Sequence, residues 1–591
     1  MVLEWIDWLS VILFFLISLA IGIISSRTAG KSTQEFFLSG RNMPWWVLGV
    51  SMVATTFSAD TPNLVTDIVR TQGVAGNWAW WAFLITGMLT VFVYAKLWRR
   101  SKVLTDLEFY EIRYSGKPAA FLRGFRAVYL GVFFNVMIMA SVCLAAIKIG
   151  GIMLNLSPVQ TILIASVVTV IYSSLGGLKG VLITDFFQFF ISMIGSVWAA
   201  YIIVNLPEIG GVSKLVAHEA VVGKLDLIPD FSNPELFIPI FIIPIAVQWW
   251  SVWYPGGEPG GGGYVAQRML SAKDEKNAAG ATLLFNVAHY ALRPWPWILI
   301  GLASIIMFPD LEALGAAFPE MDPGFVKDDL GYPAMLTYLP HGLLGLVVAS
   351  LISAFMSTIS THLNWGSSYM VHDFYHRFIK PDASEKRLVA VGRISTVVLM
   401  ILSALFALVL ENALQAFNIL LTIGAGTGLI YILRWFWSRI NAYTEITGMV
   451  VSFFVAIFFQ VVYPKMGFDP IPNHYQLLLG IGITTIAWVL VTFLTPPDDK
   501  ETLISFYRLV KPKGRGWKKI AAESGVEPDT GSNLTTEILG MLIGCFTIYS
   551  ALFMTGYLIY GDMMYAFILF LVVLIGSFLL FRIWNSINRK R

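Results

Sequence analysis

The run from Val53 to Asn63, Val-Ala-Thr-Thr-Phe-Ser-Ala-Asp-Thr-Pro-Asn, sits inside what is otherwise a membrane-length apolar segment. Trp45–Val53 before it is apolar, and hydrophobicity recovers after it at Leu64, Val65, Ile68 and Val69. Pro62 has no backbone N–H to give, while Thr55, Thr56, Ser58, Asp60 and Thr61 crowd polar groups at bilayer depth. A carboxylate at the centre of a membrane helix costs roughly 2.5–3.5 kcal/mol even on insertion scales. Irregular backbone survives there only where it lines a cavity or is buried in protein. The direct reading is a helix broken in its middle to make a site. The rival is a proline kink whose serines and threonines bond back to their own carbonyls.

Composition supplies the membrane. Of 591 residues 57% are hydrophobic and 13% charged, with a mean hydropathy of +0.71, and apolar stretches of about 20 residues recur along the chain. The fold class is therefore an all-α polytopic membrane protein with about 15 transmembrane helices. Two of the expected spans cover 159–176 and 180–206, and another covers 236–254. The 20 tryptophans suit interfacial belts. Cys143 and Cys545, the only cysteines, fall in apolar segments, which argues against a structural disulfide or a Cys/His metal site. Trp5–Ile24 lacks a basic leader and a cleavage site and reads as a retained helix. Net charge is only +3, but its distribution is informative. One set of loops carries Lys96 to Lys117, Arg268 to Lys276, Lys500 to Lys519 and the Arg589-Lys590-Arg591 tail; the other carries Asp310, Glu312, Glu320, Asp322, Asp328 and Asp329. Positive charge stays inside, so the N-terminus is expected outside and the C-terminus in the cytoplasm of a bacterial inner membrane.

Extramembrane pieces are small: outer loops 207–235 and 308–340 and the inner segment 496–534, of which 502–521 reads as an amphipathic basic helix on the inner leaflet. No separate catalytic domain fits in them. The Gly-rich stretch 255–264 lacks the Lys-Ser/Thr of a phosphate-binding loop and reads as a flexible inner hinge or loop.

Polar residues inside the spans carry the rest. Ser353, Ser357, Ser360, Thr361, Asn364 and Ser368 form a stripe along one face of the ninth span. Such a stripe either packs helix on helix or offers neutral oxygens to a hard cation. The first half of the broken span, ending near Phe57, would aim free carbonyls at the midplane; the second, opening near Pro62 with Thr61 as N-cap, would present its positive end. Broken-helix transporters divide cation and solute in this way and are built from inverted repeats. The seventh span, with Pro239 and Pro244 and ending in Gln248-Trp249-Trp250, is the expected second interruption. Asp185 opens the sixth span as a cap or a ligand, Lys148 is expected to snorkel outward, and Arg293 either binds a solute carboxylate or caps carbonyls freed by Pro294 and Pro296.

Several motifs together resemble the sodium:solute symporter family. They are Glu35-Phe-Phe-Leu-Ser-Gly-Arg-Asn-Met-Pro-Trp-Trp, Ala54-Thr-Thr-Phe-Ser-Ala-Asp, Leu175-Gly-Gly-Leu-Lys-Gly-Val-Leu-Ile-Thr-Asp-Phe-Phe-Gln, Gln267-Arg-Met-Leu-Ser-Ala-Lys-Asp, and Ile352-Ser-Ala-Phe-Met-Ser-Thr-Ile-Ser-Thr with Asp373-Phe-Tyr. The resemblance implies a five-plus-five inverted-repeat core of the leucine-transporter type, with its first and sixth helices broken. It implies a sodium site made by the carbonyls of Ala54, Phe57 and Ala354 and the hydroxyls of Ser357 and Thr358, and a second sodium at Asp185, Ser360 and Thr361. Thr61 stands where glucose-type members have Gln, and the residue before Tyr264 belongs to the glycine insertion, so a hexose does not carry over. Candidate solute-binding residues are Thr61, Gln248, Tyr264, Tyr290 and Arg293.

The expected function is sodium-coupled symport of a small organic solute by alternating access, with Na+ as coupling ion. No organic cofactor, transition metal or nucleic acid is expected; the partners are the solute and membrane lipid. A transporter-like sensor is the alternative, weakened by the chain's end at Arg591 without a kinase-sized extension; a membrane enzyme lacks a recognisable ligand or nucleophile set. The expected organisation is 1–40 as an extra helix and inner loop, 41–440 as the transport core, 441–495 as two accessory helices, 496–534 as a cytoplasmic segment and 535–591 as two terminal helices with a basic tail.

Overall fold

Hydroxyls, prolines and glycines decide where the helices of this chain start, stop and touch. The computed structural model describes residues 3–29, 38–252, 258–410, 417, 420–424, 426–469, 471–527 and 533–589. Among these residues structure is helical, apart from isolated bridges of Met43 with Ala272 and Trp437 with Gly516. Ten described helices are long and apolar enough to cross a membrane, and five more are apolar but shorter.

The helices used below are α1 (Trp5–Ala29), α2 (Trp45–Thr56), α3 (Asp60–Gln72), α4 (Val74–Ser101), α5 (Gly116–Leu154), α6 (Pro158–Val204), α7 (Pro234–Ala246), α8 (Gly263–Ser271), α9 (Glu275–Met307), α10 (Leu343–Ile379), α11 (Gly428–Phe436), α12 (Ala442–Lys465), α13 (Asn473–Leu494), α14 (Leu534–Tyr560) and α15 (Met563–Arg589). Helix α2 packs on α6 and α9, α10 packs on α6, and α3 packs on α9. These contacts gather the polar stretches of the chain around one centre.

Helix α2 ends at Thr56. Phe57 leaves helical geometry at φ −85°, ψ 70°, and its N–H turns back to the carbonyls of Val53 and Ala54. Helix α3 starts at Asp60, two residues before the proline. Thr61 is therefore not the N-cap: it lies in the first turn, and its hydroxyl donates to the Thr56 carbonyl at 3.2 Å. A carboxylate at the start of α3 meets the positive end of that helix.

The expected interruption of the seventh span also moves. Helix α7 continues through Pro239 and Pro244, widening into a π-turn at Ile238–Ile242. A proline removes only its own donor, and a π-turn absorbs the ring. Regular geometry is lost later, at Val247 (φ −138°), and α8 resumes at Gly263. Within the Gly-rich stretch, residues 255–257 lie outside the described residues. Glu258 to Gly262 are buried, unlike a flexible surface hinge. Glu258 pairs with Arg126 and with Arg434 (3.6 Å), and the indole of Trp98 donates to the Gly260 carbonyl at 2.6 Å. Gly260 and Gly261 hold φ of 92° and 81°, which glycine adopts without strain.

Further expectations are corrected. The spans over 159–176 and 180–206 are one 47-residue helix, α6, opened by a Ser157–Gln160 capping box with Pro158 in its first turn. Asp185 therefore sits inside a helix and caps nothing at a helix start. Lys148 does not snorkel; the loop that carries Asp329 covers it, and the two pair at 2.5 Å with both side chains buried. The stretch 502–521 is no single leaflet helix. Lys500–Val510 ends at Lys511 in left-handed geometry, and Phe506, Tyr507 and Trp517 are buried in the protein.

Candidate functional site

The α10 stripe faces the α2–α3 break. Ser353, Ser357, Ser360, Thr361, Asn364 and Ser368 are all buried. Thr358 Oγ1 donates to the Thr55 carbonyl at 2.8 Å, and the hydroxyls of Thr55 and Thr361 lie 3.3 Å apart. Ser357 donates to Asp185 Oδ1 at 2.5 Å, and Ser51 donates to Asp185 Oδ2 at 2.5 Å, so one carboxylate on α6 ties α10 to α2. Ser360 instead bonds back to the Ser357 carbonyl at 3.1 Å. The side chain of Ser353, one turn before Ser357, has no hydrogen-bond partner among the described residues.

A cation reaches the same cluster from α8. Arg268 Nη2 donates to Thr361 Oγ1 (3.1 Å) and Ser51 Oγ (3.2 Å) and lies 3.8 Å from Asp185 Oδ2. The neighbouring Gln267 amide donates to Asn364 Oδ1 at 3.2 Å. Of the residues named from sequence, the structure thus brings Ser357, Thr358, Thr361 and Asp185 around the α2 end that carries Ala54 and Phe57. Ala354, also buried, lies on the same helix. Sequence reasoning missed Ser51, Thr55 and Arg268 as members. Thr55 and Arg268 stood inside quoted motifs without a role, whereas Ser51 carries no signal in its apolar surroundings.

On the other side of the break is a second space. A cavity of about 70 Å³ is lined by Thr56, Asp60, Thr61, Trp80, His289 and Arg293, among others. Arg293 donates to Thr56 Oγ1 at 3.0 Å, lies 3.5 Å from His289 Nε2, and stands 5.1 Å above the Trp297 ring. His289 Nδ1 is 3.0 Å from the same threonine hydroxyl, and Asp60 Oδ2 accepts from Ser141 at 2.5 Å. Carboxylate, guanidinium, imidazole and indole thus share one wall system, able to hold a small polar solute by hydrogen bonds and ring stacking.

The expected solute residues divide. Thr61 and Arg293 line this cavity. Tyr264 and Tyr290 line a smaller one of about 40 Å³ beyond it, with Trp80 stacked on Tyr290 (5.9 Å, 23°). Gln248 lines neither and donates to the Ala79 carbonyl at 2.6 Å. Trp80, Asp60 and His289 join the set.

Comparison with known proteins adds to this geometry. The family model described as "Sodium:solute symporter family" matches residues 36–452. A sodium/glucose cotransporter of Vibrio parahaemolyticus is 28% identical over 519 residues, covering 84% of this chain and 92% of that relative. A sodium/myo-inositol cotransporter 2 of Oryctolagus cuniculus is 25% identical over 544 residues, covering 83% and 77%. The solved structure of a Na+-coupled sialic acid symporter in a substrate-bound outward-open state superposes with a TM-score of 0.65 at 22% identity. It covers 84% of this chain and 99% of that one.

Proposed function

The chain belongs to the sodium:solute symporter family, and from that premise we propose that it imports a small organic solute with sodium by alternating access. One observation carries the reading: the α10 hydroxyls and the α2–α3 break converge on a single cluster, with Asp185 joining them. Sodium is assigned to the carbonyls of Ala54, Phe57 and Ala354 and the hydroxyls of Ser357 and Thr358. A second ion is assigned to Asp185, Ser360 and Thr361. Neutral oxygens at a helix C-terminal end suit a hard monovalent cation. The reading takes about 15 crossings, counting the apolar stretches Pro158–Val170 and Leu178–Val204 of α6 as two, with a five-plus-five repeat, α2–α3 and α7–α8 as the broken first and sixth core helices, and a bacterial inner membrane with the N-terminus outside.

The solute belongs in the cavity beside the break, with Thr61 and Arg293 as its first contacts. Asp60, Trp80 and His289 complete the walls, and Tyr264 and Tyr290 back it through Trp80. Gln248, held on the Ala79 carbonyl, stays outside this assignment. The candidate solutes are sugars, amino acids and organic anions, and the named relatives put glucose and myo-inositol among those to be tried first.

The test is accumulation of a solute panel by proteoliposomes under an inward sodium gradient, with potassium as control. Accumulation that follows sodium is expected; uptake driven by protons without sodium refutes the reading. With a transported anionic solute, Arg293→Lys should raise the half-saturating concentration roughly tenfold while the protein stays folded, because lysine lacks the bidentate fork. Unchanged affinity removes Arg293 from the solute site.

A further inference from the structure

One buried carboxylate in this molecule has a buried guanidinium beside it. Asp185, fully buried on α6, accepts hydrogen bonds from Ser51 and Ser357, each at 2.5 Å. The Arg268 guanidinium, also fully buried, reaches toward the same carboxylate from α8. It stands 3.8 Å from Oδ2 and is held there by Thr361 Oγ1 at 3.1 Å and Ser51 Oγ at 3.2 Å. A hard cation bound to that oxygen would sit about 2.4 Å from it. It would draw on the hydroxyls of Thr361 and Ser51, which now receive the guanidinium. The two positive charges would then lie within a few ångströms of each other, away from water, where repulsion is least screened.

We propose that Arg268 and sodium are alternative occupants of the Asp185 site, with the guanidinium displaced when the ion binds. The inference rests on the sodium-coupled reading and adds to it the group that neutralises Asp185 when sodium does not. A carrier that returns without its ion must not bury an uncompensated carboxylate, because an unpaired buried charge is strongly unfavourable. Arg268 is placed to prevent that. It lies on α8, the segment that follows the second interruption, so its displacement also links ion binding to that helix. On this account Arg268 is a positioning residue rather than a ligand. It lowers apparent sodium affinity and makes the empty site stable.

The experiment uses sodium alone as probe, on the purified full chain. Sodium-dependent thermal stabilisation and radioactive sodium binding are titrated with sodium chloride against choline chloride at constant ionic strength. Arg268→Gln should lower the half-saturating sodium concentration roughly tenfold, within the range of ordinary site-to-site coupling. It should also lower stability in choline. Both effects should vanish when Asp185→Asn is added. Arg268→Lys keeps the charge but loses the fork, so its half-saturation should fall by a smaller factor; this variant decides the matter if Arg268→Gln does not fold. Unchanged or weakened sodium binding in the Arg268 variants overturns the proposal, and so does a gain that persists with Asp185→Asn. Absence of any saturable sodium effect in the wild type would instead overturn the sodium-coupled reading beneath it.

Discussion

Ser357 and Thr358 are adjacent on α10 yet send their hydroxyls to different partners, one to Asp185 and one to the Thr55 carbonyl. Removing both should raise the sodium concentration for half-maximal uptake by at least tenfold, because two of about five assigned oxygens are lost. Uptake against sodium concentration checks this, with surface expression as control; wild-type sodium activation in Ser357→Ala/Thr358→Ala withdraws the site. The hydroxyl stripe was legible because helical spacing places its members on one face. Asp185 joined it only through the family resemblance, and Ser51 and Arg268 were not legible at all: the three come from helices far apart in sequence, and nothing local in the chain announces their meeting. Lys148 shows the same limit. Its position near a helix end pointed to water, but a loop residue some 180 positions later, Asp329, closes over it. Lys148→Ala should therefore cost about 3–5 kcal/mol by removing the opposite charge from beside the buried Asp329. In thermal or denaturant unfolding, Lys148→Met with Asp329→Leu should recover much of the loss. A single variant as stable as wild type would mean that the pair is not buried.

Proline and glycine act differently on elements than a first reading of the chain proposes. The α2–α3 interruption was readable because hydroxyls, a carboxylate and a proline coincide there. Its boundaries shifted because Asp60, rather than Thr61, opens the second half. Pro239 and Pro244 misled in the second case, since α7 absorbs them through a π-turn and unwinds only after Val247. Glycine marks instead the places where helices touch backbone to backbone. At Gly428, the first residue of α11, a Cβ would stand 1.5 Å from the carbonyl oxygen of Trp250. Helix α11 is seated directly on the unwound end of the α7 segment, and a methyl group cannot fit without moving one of them. Gly428→Ala should destabilise by about 1–3 kcal/mol, the usual cost of overpacking. A Cβ added at Gly482 on α13 would meet no atom within 4 Å among the described residues outside its own helix's backbone, so Gly482→Ala should be neutral or slightly stabilising. Equal melting temperatures for the two variants would refute the close seating of α11.

Across the whole molecule, loops expected on one side do hold one another. Asp7, near the start of α1, accepts from the N–H groups of Gly342 and Gly345 and lies 2.7 Å from His341, so the N-terminal helix clamps the start of α10. Arg70 pairs with Asp328 at 2.8 Å while Lys224 donates to the Arg70 carbonyl, which joins the loops around 224 and 328. The basic set has its own society: Arg100 pairs with Glu275, Arg113 with Asp498, and Lys513 and Lys96 with Glu537. On the proposed orientation, the acidic group lies outside and the basic group in the cytoplasm, as the charge asymmetry of the sequence leads one to expect. Ser505 tests this well, because it is exposed on Lys500–Val510, in the basic group. The two native cysteines, Cys143 and Cys545, are buried and should stay silent toward a membrane-impermeant thiol reagent. In intact cells, Ser505→Cys should remain unlabelled, and it should react once the membrane is permeabilised. A second cysteine at Glu312, exposed in the acidic loop, should show the opposite pattern and react without permeabilisation. Labelling of Ser505→Cys from outside would invert the chain. The carbonyl end of α2 would then face the other compartment, but sodium and solute would still move together down the sodium gradient, because the gradient and not the orientation sets the direction of symport.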